Sequence, residues 1–551
     1  MSDTTGTLTD WNIADAFEAI AARIGDRPCQ VQGDRTVTWG EFDRRAEAVA
    51  ADLIDAGLGR GAKVACYLYN GPEYMEVVNA AFKASMSPVN TNYRYGGDEV
   101  VYLFDNADAE AIVFHAVFTD LIDEIRDRLP KVKRWYLVDD DTANGEVPDW
   151  ATPYEAVATS GAHLPEEVRA GRSGDDLLLL YTGGTTGMPK GVMWRQDDLF
   201  NVLGAGANPF LGTEPVASLD ELADRAATAA APPVMVVACP LMHGTGQFSA
   251  LISMIGGGTV VSLPSRQFSV EELFDTIVAN RATNVVIVGQ AFAGPMLTAL
   301  DAEPDRWDLS SLVVISSSGV MWSQQNKQGL LGHIPQVLLY DSFGSSEAVG
   351  LGSSVSANGL EQETARFEVT ENNAVFMEDG TRVEPGSEEI GQIAVGGFIP
   401  VGYYKDEEKS AATFRTYEGR RWSIPGDYAQ VNADGTIRLL GRGSVCINTG
   451  GEKVFPEEVE EALKTHGSVR DAVVVGVPDD RFGETVCGVV EANDGASIDP
   501  GELRDHVSTA LAAYKAPRNV VVVDSISRAA NGKVDYKRLR QVAIDEVGAR
   551  G

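Results

Sequence analysis

The chain has 551 residues, of which 44% are hydrophobic, 23% charged and 8% aromatic, an ordinary globular composition that excludes a disordered, collagen-like or disulfide-scaffold protein. Its length corresponds to roughly three to four domain-sized units. With 45 Lys and Arg against 80 Asp and Glu the net charge is −35, a surface that repels nucleic acid and anionic bilayers alike.

The start, Met1-Ser-Asp-Thr-Thr-Gly, lacks the basic and apolar regions of a signal peptide. Ile13, Phe17, Ile20 and Ile24 then recur at helical spacing. Thr38 with Glu41 three residues later is a capping-box signature for a helix over 42–53. Strand-like 63–68 is followed by helix-like 73–83, and the pairing recurs as 259–263 before 270–280, 284–288 before 295–301, and 312–316 before 324–333. Buried strands alternating with helices predict an α/β protein with mainly parallel, helix-flanked sheets. The Ala-rich stretch 205–233 is poorly patterned and reads as an insertion or mobile loop. No apolar run approaches the ~20 residues that span a bilayer.

A boundary is expected at Gly441-Arg442-Gly443-Ser444. It divides a large domain, residues 1–441, from a small mobile α+β domain, residues 442–551. From Arg442 onward 14 basic groups face 18 acidic ones, so nearly all the negative charge belongs to the first part. An anionic small molecule therefore needs a local positive site, one shared with the nearly neutral tail. The small domain opens on Phe455-Pro456-Glu457-Glu458, with proline at a helix start and carboxylates in its first turn. Strands over 471–477 and 485–491, a helix over 502–514 and a strand over 519–523 complete it. Five widely spaced cysteines (Cys29, Cys66, Cys239, Cys446 and Cys487) without CxxC spacing point to reduced, mostly buried thiols, a cytoplasmic address and no zinc.

The most informative stretch is Tyr181-Thr-Gly-Gly-Thr-Thr-Gly-Met-Pro-Lys190-Gly191, directly after an apolar strand. Gly183, Gly184 and Gly187 let backbone N–H groups converge on an anion, Thr182, Thr185 and Thr186 add hydroxyl donors, and Lys190 adds charge. This is phosphate-binding chemistry, but not a Walker A loop, because Pro189 precedes the lysine and Gly191 follows it. Taken singly, the other candidates have bland readings. Glu347 is a solvated loop acid, Asp427 a turn residue, His243 a core histidine, and Lys533 part of a basic helix face with Lys537, Arg538 and Arg540.

Together with Thr38-Trp-Gly-Glu-Phe42, Pro88-Val-Asn90, Pro240-Leu-Met-His243-Gly244, Phe343-Gly-Ser-Ser-Glu347, Pro425-Gly-Asp427, Gly441-Arg442 and Asn531-Gly-Lys533, the loop 182–191 resembles the adenylate-forming superfamily. That superfamily comprises acyl- and aryl-CoA synthetases, peptide-synthetase adenylation domains and beetle luciferase. The segment 181–197 with Gly450-Gly-Glu-Lys-Val-Phe-Pro looks most like actinobacterial fatty-acyl and steroid-acid CoA ligases. Three positions depart from the family pattern: Gly183 and Ser346 replace Ser and Thr, and Phe343 replaces Tyr.

The resemblance implies an ATP-dependent acid–CoA ligase that forms acyl-AMP and then a thioester. Its co-substrates are ATP, a hydrophobic carboxylic acid and coenzyme A, with Mg²⁺ on Glu347. It places the Ser346 hydroxyl at the α-phosphate, Phe343, Asp341 and Ser318-Gly319 around adenine, and Asp427 and Arg442 on ribose. Lys533 would bridge acyl carboxylate and α-phosphate, Gly450 and Gly451 would pass the pantetheine arm, and His243 would help gate an acyl pocket walled by Gln247, Phe248, Gln290, Ala291 and Met321. A homodimer is compatible with it. Acyl transfer to a carrier protein, luciferase-like oxygenation, and a nucleotide-binding scaffold with a decayed site are the competing readings.

Overall fold

The computed structural model describes residues 10–142, 146–182, 188–207, 212–320, 322–360, 366–449, 452–479, 483–528 and 534–550. Among these residues the strands form four sheets. The first runs, in spatial order, Ala348–Ser356, Leu338–Ser345, Val314–Ser318, Asn284–Ile287, Val234–Val237, Thr259–Ser262, Pro28–Gln32 and Arg35–Thr38. Only its two edge strands are antiparallel to their neighbours. The second runs Gly402–Tyr403, Lys190–Arg195, Leu177–Thr182, Ser87–Asn90, Lys63–Tyr67, Ala109–His115, Arg134–Val138 and Thr152–Pro153. It too is parallel in its interior, apart from the Gly402–Arg195 end. The larger of two apolar cores fills the space between these sheets, with Trp11, Trp39, Trp194 and Trp322 among its largest fully buried side chains, and a second lies on the other face of the second sheet around Tyr67, Ile112 and Phe114.

Local chemistry accounts for the helices. Asn12 caps Ile13–Ile24 by accepting from the N–H groups of Ala14 at 3.0 Å and Asp15 at 3.4 Å. Thr38 caps Trp39–Asp55 through Glu41 N at 3.2 Å. The helices Val270–Asn280 and Gln324–His333 begin and end where the periodicity places them. The helix between them, Gln290–Ala302, starts five residues earlier than its proline suggested, so Pro295 lies inside it. The stretch 205–233 is corrected more substantially. It contains the helix Leu219–Thr228, capped by Ser218, whose Leu222 and Ala226 are buried against the Ile13–Ile24 helix. Arg27 clasps its end by donating to the carbonyls of Ala226 at 3.0 Å and Ala227 at 2.8 Å.

A second correction concerns the last hundred residues before the small domain. Arg366–Phe367, Ile437–Arg442, Asp427–Val431, Gly391–Gly396, Arg420–Ser423, Phe414–Tyr417 and Asn373–Phe376 form a wholly antiparallel sheet around Val375, Ile393, Val395, Phe414, Ala429 and Ile437. The only helix among the described residues of this stretch is the short Glu407–Thr413, so alternation of strand and helix stops at Ser356. The residue 441/442 boundary falls at the end of the strand Ile437–Arg442.

The fourth sheet contains Glu452–Val454, Ile447–Thr449, Gly483–Ala492, Val469–Asp479 and Asn519–Val523. Past a bulge between Val469 and Asp471, residues 472–477 of Val469–Asp479 alternate between faces. Ala472 and Val474 face a core shared with the helices Pro456–Lys464 and Pro500–Ala510, while Val473, Val475 and Val477 face Leu539 and Ala543 of the helix Tyr536–Arg550. The α/β class, with a large N-terminal domain and a small C-terminal α+β domain, is the one the sequence predicts.

Candidate active site

The strands Leu177–Thr182 and Lys190–Arg195 form an antiparallel hairpin in which Thr182 pairs with Lys190 and Tyr181 with Gly191. The candidate anion-binding residues Gly183, Gly184, Thr185, Thr186 and Gly187 lie outside the described residues, but the stems that carry them are well fixed. Asn90, at the end of its own strand, donates through Nδ2 to the carbonyls of Tyr181 at 2.9 Å and Met242 at 2.5 Å. One buried amide thus ties the base of the loop to the segment that presents His243. The Tyr181 hydroxyl donates to Asn106 at 2.7 Å, and its ring lies against Gly191 so closely that a Cβ there would sit 2.7 Å from Cε2. Lys190 Nζ is 5.5 Å from the centre of the Tyr403 ring and 3.7 Å from Asp406 Oδ2.

Ser346 and Glu347 form the tight connection between the antiparallel strands Leu338–Ser345 and Ala348–Ser356. Neighbouring sheets hold it from outside. Trp194 Nε1 donates to Ser346 O at 2.9 Å, and the Ser423 hydroxyl donates to Glu347 O at 2.6 Å. The Tyr403 hydroxyl donates to Glu347 Oε1 at 2.9 Å. The Glu347 side chain is half-buried, so its carboxylate can meet a ligand. His243 is the half-buried N-cap residue of the helix Gly244–Ile255. A Cβ on Gly244 would lie 3.6 Å from Ser346 Oγ, which sets the start of that helix against the Ser346 turn. Lys190, Tyr403, Glu347, Ser346 and the start of the His243 helix therefore converge from two sheets.

The candidate adenine and ribose residues occupy adjoining positions. Ser318 ends its strand opposite Ser342, one residue along from the Ser317–Asp341 pair. Gly319 follows at φ +90°, a left-handed conformation that favours glycine. Asp341 is buried and its Oδ2 lies 3.1 Å from Lys327 Nζ. Burial raises its carboxyl above the usual range against the pull of Lys327. Phe343 leans on Phe367 with ring centres 5.5 Å apart. Asp427 is buried at the head of its strand, directly across from Arg442. It lies four residues beyond Ser423, which holds the Glu347 turn. The Arg442 side chain, Gly450, Gly451, Met321 and Lys533 lie outside what the structure describes. Gln247 and Phe248 are buried, while Gln290 and Ala291 are half-buried. Ala291 lines an interdomain cavity of about 310 Å³ together with Phe268, Phe292, Asp471, Glu491 and Arg528.

Four residues of this site carry no individual signal in the sequence: Asn90, Trp194, Tyr403 and Ser423. Each acts by reaching across to another element, and local spacing does not encode such a reach. Asn90 and Trp194 at least lie inside stretches that carried the family resemblance. Among the described residues no group of three or more His, Cys, Asp or Glu could hold a metal, and no helix is long and apolar enough to cross a membrane.

Residues 17–404 match the model of the AMP-binding enzyme family and residues 458–533 that of the AMP-binding enzyme C-terminal domain. A medium/long-chain-fatty-acid–CoA/3-oxocholest-4-en-26-oate–CoA ligase of Mycolicibacterium smegmatis is 40% identical over 98% of both chains. A 3-oxocholest-4-en-26-oate–CoA ligase of Rhodococcus rhodochrous is also 40% identical, over 98% of this chain and 96% of its own. Among solved structures, an anthranilate CoA ligase in complex with anthranoyl-AMP superposes over 100% of both chains with a TM-score of 0.83 at 21% identity, a likeness of fold. The chain belongs to the AMP-binding, adenylate-forming enzyme family, among relatives that are fatty-acid and steroid-acid CoA ligases.

Proposed function

We propose that this protein is an AMP-forming acid–CoA ligase acting on a hydrophobic carboxylic acid of the fatty or steroid type. The observation that carries the reading is that Tyr403 gathers Lys190 on its ring and the Ser346–Glu347 turn on its hydroxyl, in a chain 40% identical along almost its whole length to CoA ligases of such acids. In the first half-reaction the substrate carboxylate attacks the α-phosphorus of ATP and pyrophosphate leaves. In the second the CoA thiolate attacks the acyl carbon and AMP leaves. Such phosphoryl chemistry needs positioning and charge compensation more than covalent help.

In this reading Thr182, Lys190 and the loop between them hold the β- and γ-phosphates, and Ser346 donates to the α-phosphate. Phe343, Ser318, Gly319 and Asp341 frame the adenine. Asp427 and Arg442 take the ribose hydroxyls, Lys533 bridges carboxylate and α-phosphate, and His243 borders the acyl pocket. Gly450 and Gly451 admit pantetheine in the second step. The donor set at Glu347 fits Mg²⁺, which takes one or two carboxylates and completes its shell with water and substrate phosphate oxygens rather than an all-protein cage. Bound there, Mg²⁺ would offset the charge that builds on the departing pyrophosphate. Four of the five cysteines are buried thiols outside any disulfide, which supports a reducing, cytoplasmic setting.

The test is a panel of fatty acids and steroid carboxylates, scored by AMP release with and without CoA. Sustained AMP release that requires CoA and yields thioester is expected. Failure of every acid to support ATP–pyrophosphate exchange, or turnover to a product other than thioester, overturns the reading.

A further inference from the structure

Tyr403 sits where two sheets meet. Its strand, Gly402–Tyr403, forms the edge of the second sheet, paired with Met193 and Val192. Its backbone N–H donates to Ser410 Oγ at 2.8 Å, and its ring packs on Phe414 with centres 5.9 Å apart. From this fixed base the hydroxyl crosses to the first sheet and donates to Glu347 Oε1 at 2.9 Å. Trp194 and Ser423 hold the backbone of the same turn independently. Neither the position of Glu347 nor the use of its two oxygens is therefore left to chance.

We propose that Tyr403 is a positioning residue that decides how Glu347 meets a divalent cation. With one lone pair of Oε1 taken by the hydroxyl, Oε2 is the oxygen offered in full, and the carboxylate is biased toward ligating through one oxygen. This rests on the reading of Glu347 as a metal ligand and adds a selectivity to it. A small cation that demands near-ideal octahedral geometry is satisfied by one carboxylate oxygen plus phosphate oxygens and water. Ca²⁺ takes six to eight oxygens and readily uses both oxygens of a carboxylate. Tyr403 competes for the second oxygen, and a cation that needs both must share Oε1 with the hydroxyl. The site is thereby selective for Mg²⁺-like cations over Ca²⁺, and the selecting residue is not itself a ligand.

The experiment uses the full-length protein with α,β-methylene-ATP, which binds without turning over. Binding of Mn²⁺ is read by electron paramagnetic resonance, and Ca²⁺ is added as competitor. Tyr403→Phe keeps the ring and its packing and frees Oε1. It is expected to weaken Mn²⁺ about 10-fold, as loss of a hydrogen bond to a metal-binding carboxylate does, while Ca²⁺ loses less or gains, so the Mn²⁺/Ca²⁺ ratio falls. A merely structural role would weaken both cations together, and an unchanged ratio overturns the proposal. Glu347→Gln separates the two layers. If it binds Mn²⁺ like wild type, the assignment of Glu347 itself fails. If it loses Mn²⁺ while Tyr403→Phe keeps the wild-type ratio, only the role of Tyr403 fails. Should Tyr403→Phe not fold, Glu347→Asp, one methylene shorter, withdraws the carboxylate from the same hydroxyl and is judged by the same ratio.

Discussion

An ideal Cβ on Gly191 would lie 2.7 Å from Cε2 and 3.0 Å from Cζ of Tyr181, and that ring cannot step aside because its hydroxyl is held by Asn106. Gly191→Ala should therefore push the two stems of the anion loop apart. Overpacking of this kind costs about 1–3 kcal/mol. A lowered thermal midpoint and a raised KM for ATP are expected, whereas Gly59→Ala, where a Cβ meets nothing within 4 Å, changes neither. His115 makes a different residue-scale test. It is buried, and its Nδ1 accepts from Tyr69 N at 3.1 Å. Burial pulls its pKa from 6.5 down to about 4; Glu73 and Asp140 oppose that shift and Arg266 adds to it. Between those two pH values the unfolded chain binds a proton that the folded one refuses. Stability falls as pH falls through that window, by at most about 1.4 kcal/mol per unit from this group, and levels off below it. His115→Asn removes that dependence, so the urea midpoints of variant and wild type should converge as pH drops from 6.5 to 4. Parallel midpoints across the window would show that His115 titrates normally.

Elements are joined here by buried ions as much as by apolar packing. Lys83, at the end of the helix Pro72–Lys83, is fully buried and lies 2.5 Å from Glu18 and 2.7 Å from Asp43, on the helices Ile13–Ile24 and Trp39–Asp55. Arg172 adds pairs to Asp15 at 2.8 Å and Glu18 at 2.9 Å. Burial pushes the Glu18 carboxyl up, yet Arg172 and Lys83 outweigh it and bring it to about 2. Lys83→Met leaves two half-buried carboxylates short of a partner, which costs less than the ~3–5 kcal/mol of a fully buried pair because solvent screens them in part. It should also raise the pH of acid unfolding. The stability that Glu18 lends above pH 4.5 is lost between there and about 2; without Lys83 the folded carboxyl is held down less, so less stability is present above 4.5 and the fold's margin is exhausted at a higher pH. A midpoint within error of wild type would show that Arg172 alone suffices.

Such ties were invisible in the sequence, because each joins residues far apart in the chain. What was legible was local: the Thr38 cap, the exact span of Val270–Asn280, and the strand over 471–477 within Val469–Asp479. The helix Leu219–Thr228 hid behind alanine, whose small side chain gives a weak apolar stripe even where Leu222 and Ala226 are buried. The antiparallel sheet around Ile393 and Ala429 hid because its strands are short and turn-separated, without helices to mark a crossover. For the site, Lys190, Ser346, Glu347 and Asp427 were readable from motif order, whereas Asn90, Trp194, Tyr403 and Ser423 appear only once strands are brought side by side.

At the scale of the whole molecule the two domains meet beyond a narrow neck. Gly441, at φ +126°, has the Glu457 carboxylate where a side chain would stand, and the turn Gly443–Val445 follows it. Beyond the neck, Tyr428 and Phe455 have ring centres 5.6 Å apart, and Arg438 lies 3.8 Å from Glu458. The segment that leads into Lys533, residues 525–528, lines a cavity with Ala291 and Phe292 of the large domain. We read this as the orientation that serves adenylation, and expect a second orientation, reached by rotation at the neck, to serve thioester formation. Residue 445 lies in a tight 3₁₀ turn, whose φ of about −50 to −70° is the range proline imposes. Val445→Pro should keep the orientation seen here and hinder departure from it. Acyl-AMP then forms at close to the wild-type rate in a single turnover while thioester formation drops, and Val445→Ala, which restricts nothing, retains both. Lys533→Ala gives the mirror image. Adenylation falls on the order of a hundredfold or more, as when one charge-stabilising donor is removed from a transition state, yet supplied acyl-AMP and CoA still combine. If both variants remain folded and lose both half-reactions in equal measure, one orientation serves both steps and the neck is only a linker.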